Sequence, residues 1–255
     1  MNSTPRSRPM TGWLDRLFGL ALASALLMLA ITAWPGAARA ADRVVGSGEA
    51  ATEQRSPGDF DSIQTQGFKV SVRQGAVPAV SVTADANLLP LLESVVDGRT
   101  LVLRWKRGTS LQTRVAPQIQ VTVPQLRGLA VQGSGKLLAE ALKVPQLRVQ
   151  ISGSGDVQLA DISTDELSID VSGSGDVLAA GQATRLVVKI AGSGDVKAAG
   201  LRADDAKVSI AGSGSVDLQA QRTLDIGIAG SGDVRHTGNA TVQTKVAGSG
   251  KVKKY

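Results

Sequence analysis

The chain has 255 residues, and its 28 Lys and Arg against 22 Asp and Glu give a formal net charge of +6. It contains no Cys, which excludes disulfides, Cys nucleophiles and thiolate metal sites. The modest charge and the absence of a Lys/Arg run interleaved with aromatic residues disfavour nucleic acid as a partner.

Residues 1–40 have the pattern of a secretory signal peptide. A basic start with three Arg precedes an apolar run over residues 17–33, and Ala38-Arg39-Ala40 supplies the small residues that a signal peptidase recognises. We therefore expect cleavage after Ala40 and a periplasmic or secreted product without a membrane span. Because the apolar run is about long enough to cross a bilayer, an uncleaved N-terminal anchor is the alternative. Cleavage lowers the net charge to +3, since four Arg and one Asp are removed.

Residues 44–127 differ from the rest of the chain. They carry three of the four aromatic residues that remain after cleavage. Apolar and polar residues alternate in short stretches, which predicts strands, with a short helical turn within 85–95, a hairpin turn at Gly98-Arg99 and a loop over 107–116. We interpret this region as irregular opening coils that cap a regular stack, because the ends of a solenoid need atypical units.

Residues 128–255 contain seven copies of Gly-Ser-Gly at nearly constant spacing. The steps between successive copies are 20, 20, 19, 20, 18 and 18 residues. A fixed period of this size is typical of stacked structural units, each of which buries its apolar side against its neighbours. The copies begin at Gly133, Gly153, Gly173, Gly192, Gly212, Gly230 and Gly248.

Each unit consists of an alternating strand, a glycine corner, a second short strand and a polar turn. In the strand Leu167-x-Ile169-x-Val171 the aliphatic residues alternate with polar ones. Such alternation is typical of a strand with one buried and one hydrated face. Glycine suits the corner because it adopts positive φ without steric cost, and the intervening Ser can bond the local backbone.

This pattern predicts an all-β fold, a right-handed parallel β-helix (β-solenoid) of about 20 residues per coil. Together with the irregular N-terminal capping region it forms a single domain over residues 41–255. A left-handed hexapeptide helix needs an aliphatic residue every six positions, whereas the spacing within a unit here is uneven, and a calcium-binding nonapeptide β-roll needs a step half as long as the one in this sequence.

Several short motifs also occur in a distinctive order along the chain. They are Phe60-Asp61-Ser62-Ile63, Val70-x-Val72, Asp85-Ala86-Asn87-Leu88-Leu89, Gly98-Arg99-Thr100-Leu101, Val121-Thr122-Val123-Pro124-Gln125-Leu126 and the Gly-Ser-Gly-Asp-Val units. In this order the chain, over about residues 44–255, resembles a bacterial family, the "putative auto-transporter adhesin, head GIN domain" proteins. The resemblance implies a β-helical exported or cell-envelope protein, and it supplies no catalytic residues.

A column of carboxylates is the clearest candidate site. The residues Asp156, Asp176, Asp195 and Asp233 each follow a Gly-Ser-Gly copy, with Ser215 interrupting the series and Lys136 and Lys251 at its ends. Stacked coils would place neighbouring members about 5 Å apart. Weak binding of a divalent cation would offset the repulsion between them; the alternative is that each Asp bonds the backbone of its own turn.

Two other features carry no catalytic pattern. The sequence Gly133-Ser134-Gly135-Lys136 lacks the remaining residues of a phosphate-binding loop, since Ala130 and Leu137 occupy those positions. His236 is the one His of the chain, and nothing in the sequence pairs it with a particular Ser and Asp. We expect it to be solvent-facing or a structural residue with its hydrogen bonds satisfied.

These observations predict a non-enzymatic exported cell-envelope protein, a rigid solenoid that serves binding or adhesion. The expected partner is an envelope macromolecule or a glycan, no cofactor is expected, and the oligomeric state is left open. A polysaccharide-binding or polysaccharide-cleaving β-helix is the alternative. Sugar-processing sites usually present aromatic platforms, whereas no aromatic residue occurs from Lys106 to Lys254.

Overall fold

The computed structural model describes residues 43–255, so the predicted signal peptide, residues 1–40, lies outside the described residues. The described part is built almost entirely from β-strands, with one short 3-10 turn, Leu89–Leu91. In chain order the strands are β1 (Arg43–Val45), β2 (Ala50–Arg55), β3 (Ser62–Gln66), β4 (Lys69–Gln74), β5 (Ala79–Asp85), β6 (Leu92–Asp97), β7 (Thr100–Trp105), β8 (Ser110–Gln112), β9 (Gln118–Val123), β10 (Gly128–Gly133), β11 (Lys136–Ala139), β12 (Leu142–Gly153), β13 (Asp156–Gly173), β14 (Val177–Gly192), β15 (Asp195–Gly212), β16 (Ser215–Gly230), β17 (Asp233–Thr237), β18 (Thr241–Gly248) and β19 (Lys251–Lys254).

From β10 onward the strands stack in parallel, each coil lying on the equivalent residues of its neighbour. Strands β12 to β16 pair consecutively, and β16 continues onto β17 and β18. One inward-facing column shows the register: Leu147, Leu167, Leu186, Ala206 and Leu224 are successive partners. The predicted all-β, parallel β-helical fold is therefore confirmed.

The coils of β13, β14 and β15 each have three runs of inward-facing residues separated by corners. In β13 the alternation of buried and outward residues breaks at Ala160-Asp161 and at Asp165-Glu166, where two neighbours both face outward. The Gly-Ser-Gly copy makes the third corner. The inward residues of this coil are Val157, Leu159, Ile162, Thr164, Leu167, Ile169 and Val171, all buried. Since a buried aliphatic side chain contributes roughly 1.5–3 kcal/mol, stacking of the coils supplies most of the stability.

Residues before β10 close the N-terminal end of this stack with a mixed arrangement. Strands β3 and β4 form a coil that lies in parallel on β10 and β11, and β7 and β9 lie in parallel on β3 and β4. Antiparallel pairs β2–β5, β5–β9 and β6–β7 complete this cap. Gly98 and Arg99 form the predicted hairpin turn between β6 and β7, whereas the predicted loop over 107–116 contains β8, which pairs with β1.

Two polar residues of the Asp85-Ala86-Asn87 motif fix the first strand to the cap. The Asp85 carboxylate is fully buried and accepts hydrogen bonds from the backbone N–H groups of Gly48, Arg114 and Val115 at 2.8–3.0 Å. Burial alone would raise the pKa of Asp85, but these donors outweigh it and the pKa is lowered. Asn87 accepts from the Ser47 N–H and donates to the Val45 carbonyl, both at 2.8 Å. This motif therefore has a structural role.

The glycine corners allow main chains of successive coils to approach closely. Gly173 has φ +127°, a conformation that favours glycine. A Cβ at Gly175 would overlap the carbonyl oxygen of Gly155 and lie 2.7 Å from Cγ2 of Ile151. The Ser174 N–H donates to the Gly153 carbonyl at 2.9 Å, so the ladder of hydrogen bonds continues around the corner. The first glycine of a copy is required because its φ is positive, and the second is required because the main chain of the preceding coil leaves no space for a side chain.

We predict that Gly175→Ala destabilises the protein by about 1–3 kcal/mol, because the added methyl group pushes adjacent coils apart. Gly227→Ala is the matched control, since a Cβ there meets its nearest heavy atom at 4.0 Å and φ is not positive. We expect the control to be neutral or slightly stabilising. Urea unfolding followed by circular dichroism measures both, and equal midpoints for the two variants would contradict the corner argument.

Candidate functional site

A polar groove, here called the corner groove, runs along the corner between the second and third inward runs of the coils. This corner is distinct from the glycine corner. Outward residues two positions apart, such as Ser163 and Asp165, stand on either side of the inward residue between them, here Thr164. The groove has a volume of about 710 Å³. One wall is the row Lys143, Ser163, Gln182 and Arg202, which are register partners in four successive coils, and the other contains Pro145, Asp165, Thr184 and Asp204.

The floor of the groove has its hydrogen bonds satisfied. The Thr164 side chain is 8 % exposed, and its hydroxyl lies 3.0 Å from the carbonyl oxygen of Pro145 and 3.1 Å from that of Glu166. Val144 and Ala183 complete the floor with apolar side chains. The groups that can bind a ligand are therefore those of the walls.

The charges of the walls balance and do not pair. Lys143 and Arg202 contribute two positive charges, and Asp165 and Asp204 contribute two negative ones. None of these four side chains takes part in an ion pair within residues 43–255. Their polar ends remain available to a bound molecule, and the groove as a whole carries no net charge.

At its N-terminal end this groove meets a second cavity of about 360 Å³, which shares Lys143, Val144 and Pro145 with it. Gln74 of the cap anchors this junction. Its side-chain amide donates to the carbonyls of Pro124 and Lys143 at 3.1 and 3.2 Å and accepts from the Lys143 N–H at 3.0 Å. The groove thus extends from the cap over four coils of the repeat.

A third, largely apolar groove of about 890 Å³ lies on the outside of the third run. Its lining includes the small residues Ala191, Ala211 and Ala229, which are register partners just before the glycine corners, with Lys189 and Lys245 beside them.

Three of the four carboxylates of the predicted Asp column accept hydrogen bonds from the main chain of the following coil. Asp176 Oδ1 accepts from the Asp195 N–H at 3.1 Å, and Asp195 Oδ1 accepts from the N–H and hydroxyl of Ser215 at 3.0 and 2.7 Å. Asp233 Oδ1 accepts from the Lys251 N–H at 3.0 Å. These bonds join neighbouring coils, whereas the sequence had suggested bonds within one turn.

Residues 43–255 contain no cluster of three or more His, Cys, Asp or Glu side chains placed to hold a metal ion. Cation binding by Asp156, Asp176, Asp195 and Asp233 stays a prediction. Calorimetric titration with Ca²⁺ tests it, and heat at millimolar calcium would support it.

We predict that Asp195→Ala destabilises the protein by about 1–2 kcal/mol, because two donors of Ser215 lose a charged acceptor. Asp156→Ala is the matched control. It removes the same charge from the same column, but within residues 43–255 the Asp156 carboxylate accepts no hydrogen bond from a backbone or side-chain donor. A urea titration should show a lower midpoint for Asp195→Ala alone. Equal loss in both variants would contradict this assignment, because the bonds to Ser215 are removed in Asp195→Ala alone.

His236 contradicts the expectation of a solvent-facing or satisfied residue. It is 5 % exposed and lies in an inward column between Leu218 and Lys254 of the adjacent coils. Its Nδ1 atom is buried without a hydrogen-bond partner. Burial lowers the pKa of His236, and the positive charge of Lys254 lowers it further. The alternation Val234-x-His236 was the signal in the sequence that placed this side chain inside.

This burial predicts loss of stability in mild acid. Because the pKa of His236 is lower in the folded than in the unfolded protein, the unfolded state binds the proton more tightly. The contribution of His236 is therefore complete above the ordinary pKa of about 6.5 and is lost as the pH falls below it. His236→Leu, which copies Leu218 of the preceding coil, should remove this loss. Thermal unfolding at pH 7.5 and pH 5 measures it, and an equal decrease in both proteins would refute the assignment.

The stacked coils, the glycine corners and the antiparallel cap define a parallel β-solenoid closed at its N-terminal end. The chain belongs to the family described as "Putative auto-transporter adhesin, head GIN domain", whose pattern matches residues 59–240. The resemblance expected from the ordered motifs is thus confirmed. Within residues 43–255 no helix has the length and apolar character required to span a bilayer.

Solved structures share this architecture. A protein from Parabacteroides distasonis described as a "putative lipid binding protein" is 28 % identical, with a TM-score of 0.71 over 84 % of this chain and 99 % of its own. A "putative adhesin" from Bacteroides fragilis is 22 % identical, with a TM-score of 0.77 over 83 % of this chain and 100 % of its own. One from Parabacteroides merdae is 24 % identical, with a TM-score of 0.66 over 84 % and 100 %. The two adhesins show the fold alone, and no curated protein matches the chain.

Proposed function

We propose that this protein is an exported cell-envelope protein that acts by binding another macromolecule and catalyses no reaction. The observation that carries the proposal is the corner groove, whose walls present polar side chains from four successive coils, with the four charged ones free of ion pairs within residues 43–255. Membership of the head GIN domain family supports a role in binding or adhesion. The predicted signal peptide, residues 1–40, supports export.

The rigidity of the solenoid favours such a role. The coils that form the groove pair in parallel along nearly their whole length. Residues of the walls are therefore held in place before a ligand arrives, which lowers the entropic cost of binding.

The carboxylates in the groove stand at the upper limit of the spacing that glycoside hydrolases use. Glycoside hydrolases place two carboxyl groups about 5–9.5 Å apart across the scissile bond. Asp165 and Asp204 belong to β13 and β15, so two coil steps of about 4.8 Å separate their main chains. Thr184 occupies the intervening position.

Lipid is a further partner class that the relatives bring into consideration. The Parabacteroides distasonis protein, which is 28 % identical to this chain, is described as a "putative lipid binding protein". The apolar groove beside Lys189 and Lys245 is the surface that would face a lipid. Co-sedimentation of the purified protein with anionic vesicles tests whether this groove binds lipid.

We predict that a strain lacking the protein loses attachment to surfaces several-fold and that the wild-type gene restores it. The double variant Gln182→Ala/Thr184→Ala, which trims both walls of the corner groove, should restore the protein level without restoring attachment. Fractionation of tagged cells should place the protein outside the cytoplasm, and the purified protein should release no reducing ends from a panel of polysaccharides.

Normal attachment of the deletion strain, a cytoplasmic location or release of sugar ends would each overturn the proposal. Two results together would place the binding surface in the apolar groove instead. They are full restoration of attachment by the variant Gln182→Ala/Thr184→Ala and binding of the wild-type protein to anionic vesicles.

A further inference from the structure

We infer that the corner groove binds a neutral, hydroxyl-rich polysaccharide chain that lies along the axis of the solenoid. This inference rests on the proposed binding function and assigns the class of ligand. The groove is open along its length, spans four coils and has two parallel walls, which is the shape that an extended polymer requires.

The period of the walls agrees with a chain of sugar rings. Equivalent side chains in successive coils repeat at about 4.8 Å, the spacing of hydrogen-bonded strands. An extended chain of pyranose rings advances by a similar length per ring, so each ring meets the same pair of wall positions in the next coil. An extended peptide advances by only about 3.3 Å per residue and would lose this register within a few coils.

The chemistry of the walls matches hydroxyl groups. A hydroxyl both donates and accepts hydrogen bonds, and every wall position except Pro145 offers a complementary side-chain group. Three successive coils pair Ser163 with Asp165, Gln182 with Thr184, and Arg202 with Asp204 across the groove. The Gln182 amide lies 3.4 Å from the Ser163 hydroxyl, a long contact that a ligand can replace.

The balance of charge selects a neutral polymer. Lys143 and Arg202 would attract an anionic chain, but Asp165 and Asp204 in the other wall would repel it. A cationic chain meets the same conflict with the signs reversed. A neutral polymer satisfies all four groups through its hydroxyl oxygens and protons.

The absence of aromatic residues from Lys106 to Lys254 sets how affinity must be built. Without stacking platforms, binding relies on hydrogen bonds, each of which contributes only modestly to affinity. The affinity should therefore increase with each added sugar until the chain covers the groove.

Affinity electrophoresis tests the inference. Purified protein, residues 41–255, is run in gels that contain dextran, a mixed-linkage β-glucan, a galactomannan or the anionic polymer alginate. We expect at least one neutral polysaccharide to retard the wild type, and the Gln182→Ala/Thr184→Ala variant to bind it at least fivefold more weakly. Gln150→Ala/Ser168→Ala is the matched control, because these neutral residues face outward on β12 and β13 away from the groove and should leave retardation unchanged.

Oligomers of the retarding polysaccharide supply the second measurement. Calorimetry should show affinity that increases up to four or five sugars, the length of about four coils, and then levels off. Retardation by no neutral polysaccharide, retardation by alginate alone, equal retardation of the groove variant or affinity independent of length would overturn the inference. If attachment of cells still depends on the groove in that case, the proposed binding function stands and only the class of ligand is wrong.

Discussion

Direct contact between main chains at the glycine corners is the constraint on which the rest of the structure depends. From the second copy onward, the second glycine faces the carbonyl oxygen of its counterpart one coil earlier, with no room for a side chain between them. The Ser between the glycines of these copies donates its N–H to the preceding coil, so the hydrogen-bonded ladder does not stop at the bend. Because one corner is fixed in this way, flanking strands have no freedom to slip by a residue, which would turn their aliphatic side chains outward.

The unequal steps between copies are absorbed away from this corner. Register shifts occur at Leu159/Ile162, at Leu178/Ala180 and near Ala198 to Asp205, which all lie around the other two corners. The shortening by one residue after Leu159 is accommodated by Gly181, which packs against Ile162 at φ +119°. Strands beside the Gly-Ser-Gly copies remain in register throughout.

The sequence was sufficient to predict the period, the corners and the inward residues of the third run, because alternation and glycine spacing are local signals. It could not reveal the corner groove, since Ser163, Gln182 and Arg202 become neighbours only through a register that shifts between coils. The antiparallel pairs of the cap, such as β2 with β5, depend in the same way on contacts between distant segments. The inward position of His236 was visible in the alternation, but its unpartnered Nδ1 depends on what the adjacent coils place beside it.

Because the whole coil is repeated, gene duplication or deletion of a repeat would change the length of the corner groove. Removing residues 156–175 would join Gly155 to Asp176, which normally follows the equivalent glycine, Gly175. The coil before the deletion would then pack on the coil of β14, which has the same pattern of inward-facing residues as the coil that was removed. The wall rows would lose one position each, while the cap and the last coils kept their structure. The number of repeats therefore sets the length of the groove, and related proteins with more or fewer coils would differ in groove length while keeping the same kind of corner at each step.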